Sequence, residues 1–126
     1  AALVSECKVL AHPSSVDSIP TSANMEDHVS MGTHAGRHAL LMIGYAEQVL
    51  SIELMIAAQA LDLRTGLAMG TANATVHKMI REVVPFMEED RVLYPDIEAV
   101  TALVRHPTTG ERISALIREQ STSDTK

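Results

Sequence analysis

Val49-Leu-Ser-Ile-Glu-Leu-Met-Ile-Ala-Ala-Gln-Ala-Leu61 decides the fold. Its apolar side chains fall around most of the circumference of an α-helix, and a helix that is hydrophobic all round must be covered on all sides. No proline interrupts the chain from Met25 to Arg64, so the expected element is one long helix over 25–64. At about 1.5 Å per residue it would measure roughly 60 Å. A globule of 126 residues has a diameter of roughly 35 to 40 Å. The helix overshoots it, and the short segments that follow can shelter only part of its apolar surface. Gly32, Gly36 and Gly44 are places where it could break, at about 1 kcal/mol each relative to alanine. Gly32 and Gly36 equally form a small-xxx-small face for close helix approach.

Working outward, Arg64-Thr65-Gly66 closes this helix with a cation in the last turn and a glycine suited to the left-handed cap. A second helix is expected over 72–84, with Val76, Met79, Ile80 and Val83 inward, ended by Pro85. Phe86 to Val92 is acidic and carries no assigned role. Pro95-Asp96-Ile97 starts a third helix, with Ile97, Val100, Ala102, Leu103 and Val104 available for burial, and His106-Pro107 breaks it. Thr108-Thr-Gly-Glu111 has capping-box spacing and opens a last helix with Ile113, Leu116 and Ile117 inward. The tail, 121–126, is polar and expected to be disordered. Upstream, Leu3, Cys7 and Leu10 share one face of a helix end that His12-Pro13 stops. The whole is all-α, with a long central helix and shorter C-terminal helices, and no strand pairs or repeats.

Composition narrows the function. Lys+Arg number 10 against Asp+Glu 16, a net charge of −6, which argues against a nucleic-acid surface. The single cysteine, Cys7, excludes an internal disulfide and fits a reducing, cytoplasmic setting. Glu47, Gln48, Glu53 and Gln59 make the apolar window a poor membrane span, and Ala1-Ala-Leu-Val-Ser-Glu-Cys-Lys8 has no signal-peptide pattern.

Chemistry is concentrated in Ser18-Ile-Pro-Thr-Ser-Ala-Asn-Met-Glu-Asp-His-Val-Ser-Met31. Asn24 is a good N-cap residue, and Glu26 and Asp27 would then sit in the first turn, where the helix dipole favours carboxylates. The same residues would serve as a plain helix cap. Glu26 and Asp27, being adjacent, point about 100° apart and do not make a coupled dyad. His34 and His38 have a metal-ligand spacing, but no third ligand is fixed by sequence, so no metal site is assigned.

The run from His12 through Met31, with Ser-Ala-Asn-x-Glu-Asp-His-Val-Ser-Met as its core, resembles the C-terminal region of the histidine ammonia-lyases, within the aromatic amino acid lyase family. The resemblance continues through Ser51 to Arg64, Asp90-Arg91 and Pro95-Asp96-Ile97-Glu98, to about Val104. It implies a helical bundle of the fumarase/aspartase-like superfamily, assembled as a homotetramer that would cover the apolar helix. It divides the chain into a helix end and active-site loop (1–24), the long bundle helix (25–64), short helices (70–120) and a tail (121–126). It also implies elimination of ammonia from L-histidine to give urocanate, using a methylidene-imidazolone (MIO) electrophile made from an internal Ala-Ser-Gly. That tripeptide does not occur here, so the chain is expected to act with the remaining N-terminal part of such a lyase and to be inactive alone.

Glu26 matches the glutamate that histidine-specific members place against substrate. Relatives acting on phenylalanine or tyrosine carry glutamine there, and only an imidazole offers an N–H for a carboxylate to accept. Asn24 and Met25 fall in the same substrate-binding stretch. Met25 departs from the family's glutamine or asparagine, and a thioether cannot replace an amide's hydrogen bonds. Either position 25 faces packing, or the substrate differs, as in a related lyase or an aminomutase. A non-catalytic protein that uses the long helix only to oligomerise is the competing reading.

Overall fold

The computed structural model describes residues 1–16, 19–26, 28–64, 66 and 68–123, without the side chains of 119–123. Among them the regular elements are all helices: α1 (Ala2–Leu10), α2 (Gly32–Leu63), α3 (Thr71–Val83), α4 (Tyr94–Arg105) and α5 (Pro107–Ser123). The chain divides into two compact units, Ala1–Val49 and Leu50–Lys126.

In the first unit, Leu3, Cys7 and Leu10 are each half-buried, as their shared face requires. His38 ties α2 to α1, its Nδ1 lying 3.2 Å from the Leu10 carbonyl. The long helix corrects the sequence reading at its start. It opens at Gly32, not at residue 25, because Ser22, Ala23, Asn24 and Met31 have φ of 52°, 54°, 69° and 51°. A right-handed helix cannot pass through left-handed residues. Asn24 is therefore a turn residue and not an N-cap, and Glu26 lies outside the first helical turn. Asp27 lies outside the described residues.

From Gly32 to Leu63 the helix is unbroken, 32 residues long. None of its three glycines breaks it, and a Cβ added at Gly36 would meet nothing within 4 Å in this chain. Its surface is largely uncovered, with only Ser51 and Ala58 buried. Leu40, Leu41, Ile43, Leu50, Ile56 and Leu63 are each more than half exposed. By length and composition α2 is apolar enough to cross a membrane, but Glu47 and Glu53 sit in its middle, where a charge costs a few kcal/mol in lipid. After Leu63, Gly66 takes the left-handed conformation (φ 81°) expected of the closing glycine.

The second unit is built on Ala58, Ile80, Val84 and Val100, with Leu54, Met55, Val76, Ala99, Leu103 and Val104 packed around them. Val84, rather than Val83, is the buried valine: α3 stops at Val83, and Val84 turns to an extended backbone that points its side chain inward. Val83, Ala102 and Ile117, expected inside, are exposed. Ser51 and Thr101 are the polar pair at the core. Their hydroxyls lie 3.0 Å apart, and Thr101 also bonds the Ile97 carbonyl at 2.7 Å, so neither leaves a buried group unpaired. The last helix begins at Pro107, a residue pre-set for the first helical position, and not at the capping-box threonines. It continues to Ser123, so 121–123 are helical and not a disordered tail; 124–126 lie outside the described residues.

Candidate functional site

Thr21 to Glu26 forms a closed turn. The two end residues make reciprocal backbone bonds, Thr21 N–H to Glu26 O at 2.9 Å and Glu26 N–H to Thr21 O at 3.2 Å, an isolated antiparallel bridge. Within it the Met25 N–H donates to the Ser22 carbonyl at 3.1 Å. Three successive non-glycine residues in the left-handed region make the reversal. Asparagine tolerates that region; alanine does not, and each such residue costs roughly 1–2 kcal/mol. Backbone strain of this kind persists where the surroundings over-determine it, and it clusters at functional sites.

The turn has a chemical consequence. Thr21 Oγ1 donates to Glu26 Oε2 at 2.9 Å, so the carboxylate is held at the mouth of the turn while remaining exposed. Met25 precedes it on the same turn and is 87% exposed. Asn24 completes the turn through its backbone. The three residues picked from sequence are thus together on one reversal, by turn geometry and not by a shared helix face.

Among the described residues the histidines do not join them as a ligand set. His34 and His38 have ring centroids 4.2 Å apart, tilted by 58°. Among the described residues no three His, Cys, Asp or Glu side chains gather as a ligand set. His12 is an exposed loop residue whose ring Nδ1 lies 3.3 Å from the neighbouring Pro13 carbonyl.

The second unit holds a polar cluster that sequence reasoning missed. Asp62 accepts from His77 Nε2 at 2.6 Å and from Arg81 Nε at 2.7 Å. Partial burial opposes the charged carboxylate, but the hydrogen bonds from Arg81 and His77, reinforced by their charges, prevail and hold it below its ordinary value. Arg81 also donates to Gln59 Oε1, Val84 O and Pro85 O. Gln59 then clasps Met87 from both sides, donating to its carbonyl at 2.9 Å and accepting its N–H at 3.1 Å. Arg91 closes the segment by pairing with Asp96 at 2.8 Å and donating to Pro85 O. The stretch from Phe86 to Val92 is therefore strapped down, although its acidic composition suggests a solvated loop. An open groove of about 360 Å³ beside it is walled by Met55, Ile56, Leu63, Val84 and Leu93. Its polar groups are already engaged with each other, so it has walls but no reactive group.

Comparison with known proteins bears on the turn and on α2 directly. The sequence profile of the family described as aromatic amino acid lyase matches residues 1–82. Histidine ammonia-lyase from Anaeromyxobacter dehalogenans (strain 2CP-C) is 57% identical over 104 residues, which are 82% of this chain and 20% of that protein. The crystal structure of histidine ammonia-lyase from Trypanosoma cruzi superposes with a TM-score of 0.84 at 43% identity, covering 91% of this chain and 23% of that one. The ergothioneine-degrading enzyme ergothionase from Treponema denticola, solved with desmethyl-ergothioneine sulfonic acid, gives 0.74 at 36% identity, covering 80% and 20%. The chain thus spans about a fifth of the length of the curated relatives it matches.

Proposed function

The chain belongs to the aromatic amino acid lyase family, and from that premise we propose that it is the C-terminal helical part of an enzyme that eliminates ammonia from L-histidine to give urocanate. The observation that carries the reading is the Glu26 carboxylate, held by Thr21 at the mouth of a strained turn and exposed there. In elimination the C–N bond breaks and a proton leaves the β-carbon, so the site must hold the ring still and manage a proton. Glu26 accepts a hydrogen bond from the substrate's imidazole N–H, which orients the ring, and its second role is to assist the proton's movement. Asn24 and Met25, on the same turn, bind substrate beside it.

The electrophile implied by the family is MIO, made from Ala-Ser-Gly. That tripeptide is absent from residues 1–126, and no side chain on the turn is suited to make it. When bound, such a group supplies the electron-poor carbon that turns the amine into a leaving group. The reading places its source in the N-terminal part of the polypeptide. It also takes the uncovered apolar face of α2 as the surface by which copies pack into a cytoplasmic homotetramer, since several exposed leucines and isoleucines on one helix are stable in water only when covered.

A second reading is favoured by Met25, whose thioether stands exposed beside Glu26 where an amide is usual. It assigns a related lyase or aminomutase acting on another amino acid, and the likeness to ergothionase supports it. The test is a substrate panel with the full-length polypeptide, following absorbance of the unsaturated acid. L-histidine turning over well ahead of phenylalanine and tyrosine is expected. No product from L-histidine, with product from an N- or ring-modified histidine, would replace the first reading by the second.

A further inference from the structure

Resting on the reading of Glu26 as the substrate-contacting carboxylate, we propose that Thr21 is its positioning residue, locking one carboxylate oxygen so that the other is presented to substrate. A glutamate side chain has several torsions and loses much rotamer freedom when it is fixed. Here the fixing group is a threonine hydroxyl five residues upstream. Thr21 Oγ1 donates to Glu26 Oε2 at 2.9 Å, and the two backbones are pinned opposite each other by their reciprocal bonds. Residues directly opposed in an antiparallel pair carry their side chains on one face, which brings the hydroxyl and the carboxylate together. Threonine suits the task because its β-branched side chain is stiff about χ1, so the donor does not itself wander. A carboxylate has acceptor capacity on both oxygens, and with Oε2 engaged, Oε1 is the edge offered to an imidazole N–H. The left-handed run Ser22-Ala23-Asn24 serves the same end, since it reverses the chain and brings residue 26 back beside residue 21.

The experiment uses the full-length polypeptide with L-histidine, in a cycle of Thr21→Val, Thr21→Ser, Glu26→Ala and the Thr21→Val/Glu26→Ala double variant. Valine keeps the branched shape and removes only the hydroxyl; serine keeps the hydroxyl. A hydrogen bond to a charged group is large enough that its loss lowers kcat/KM about tenfold or more, so Thr21→Val is expected to fall by that much and Thr21→Ser to stay within about threefold. In the Glu26→Ala background, Thr21→Val should change nothing further, because the two act as one unit. Light scattering checks assembly, and Thr21→Ala is read in place of valine if that variant does not assemble. Thr21→Val at parental rate, equal losses for valine and serine, or additive losses in the double variant overturn the role of Thr21 while leaving Glu26 in place. Parental turnover by Glu26→Ala overturns both readings together.

Discussion

Arg81→Met should loosen the segment after α3 without disturbing the turn that carries Glu26. Arg81 reaches Asp62 at 2.7 Å, Gln59 at 3.2 Å and the carbonyls of Val84 and Pro85 at 3.1 and 3.3 Å. The Arg81 and Asp62 side chains are 17% and 24% exposed, so the pair lies between a surface ion pair, worth about 0–1 kcal/mol, and a buried one. Hydrogen bonds to charged groups contribute about 1.5–3 kcal/mol; the partial exposure puts the net local loss near the lower end, about 2 kcal/mol. Methionine keeps most of the apolar stem, so packing changes little. The assay is native-state hydrogen exchange at the Met87 amide, whose acceptor is the same Gln59 oxygen that Arg81 holds. A loss of about 2 kcal/mol raises the open population roughly 30-fold. A change below about threefold at Met87 would refute the idea that Arg81 and Gln59 act as one strap.

Three further outcomes follow from the same geometry. Asp62 is held below its ordinary value of 3.8, so its contribution to stability is present above that value and is lost as pH falls through the lower, folded one. The gap in melting temperature between parent and Asp62→Asn should therefore be open near neutral pH and close in acid below about pH 3.8; a gap independent of pH would contradict it. Val100→Ala, at a position with no exposed surface, should cost about 2–3 kcal/mol in denaturant unfolding from lost burial and the cavity left behind, and a cost under about 0.5 kcal/mol would mean the site collapses freely. Ile56→Glu, on the uncovered face of α2, should lower the mass of the full-length assembly by light scattering, because a carboxylate in a covered interface is costly; an unchanged mass would remove that face from the interface.

The all-helical class and the apolar excess of α2 were legible because both depend on local pattern. Val49 to Leu61 has too many apolar side chains for one face, and the structure leaves Leu50 and Ile56 half or more exposed. The start of α2 was not legible. Asn24 suits an N-cap and a left-handed turn equally well, and only the closure of Thr21 on Glu26 selects the second. Val83 and Val84 exchanged places because periodicity assumes that the helix continues, whereas α3 ends between them. The Gln59–Arg81–Met87 strap joins residues 22 and 28 apart in sequence, and nothing in the local pattern of any one of them announces the others. Thr21 escaped notice for a related reason: a threonine in a serine-rich loop carries no signal until the turn brings it to a carboxylate.

Urocanate formation by full-length Glu26→Gln measures the central claim most directly, since the amide keeps the size of the side chain and removes its charge and basicity. The account predicts a loss of about 100-fold or more in kcat with the assembly intact, the scale of a group that moves a proton in the transition state. Turnover of L-histidine within about threefold of the parent would contradict it, and would return the Thr21–Glu26 turn to a purely structural role.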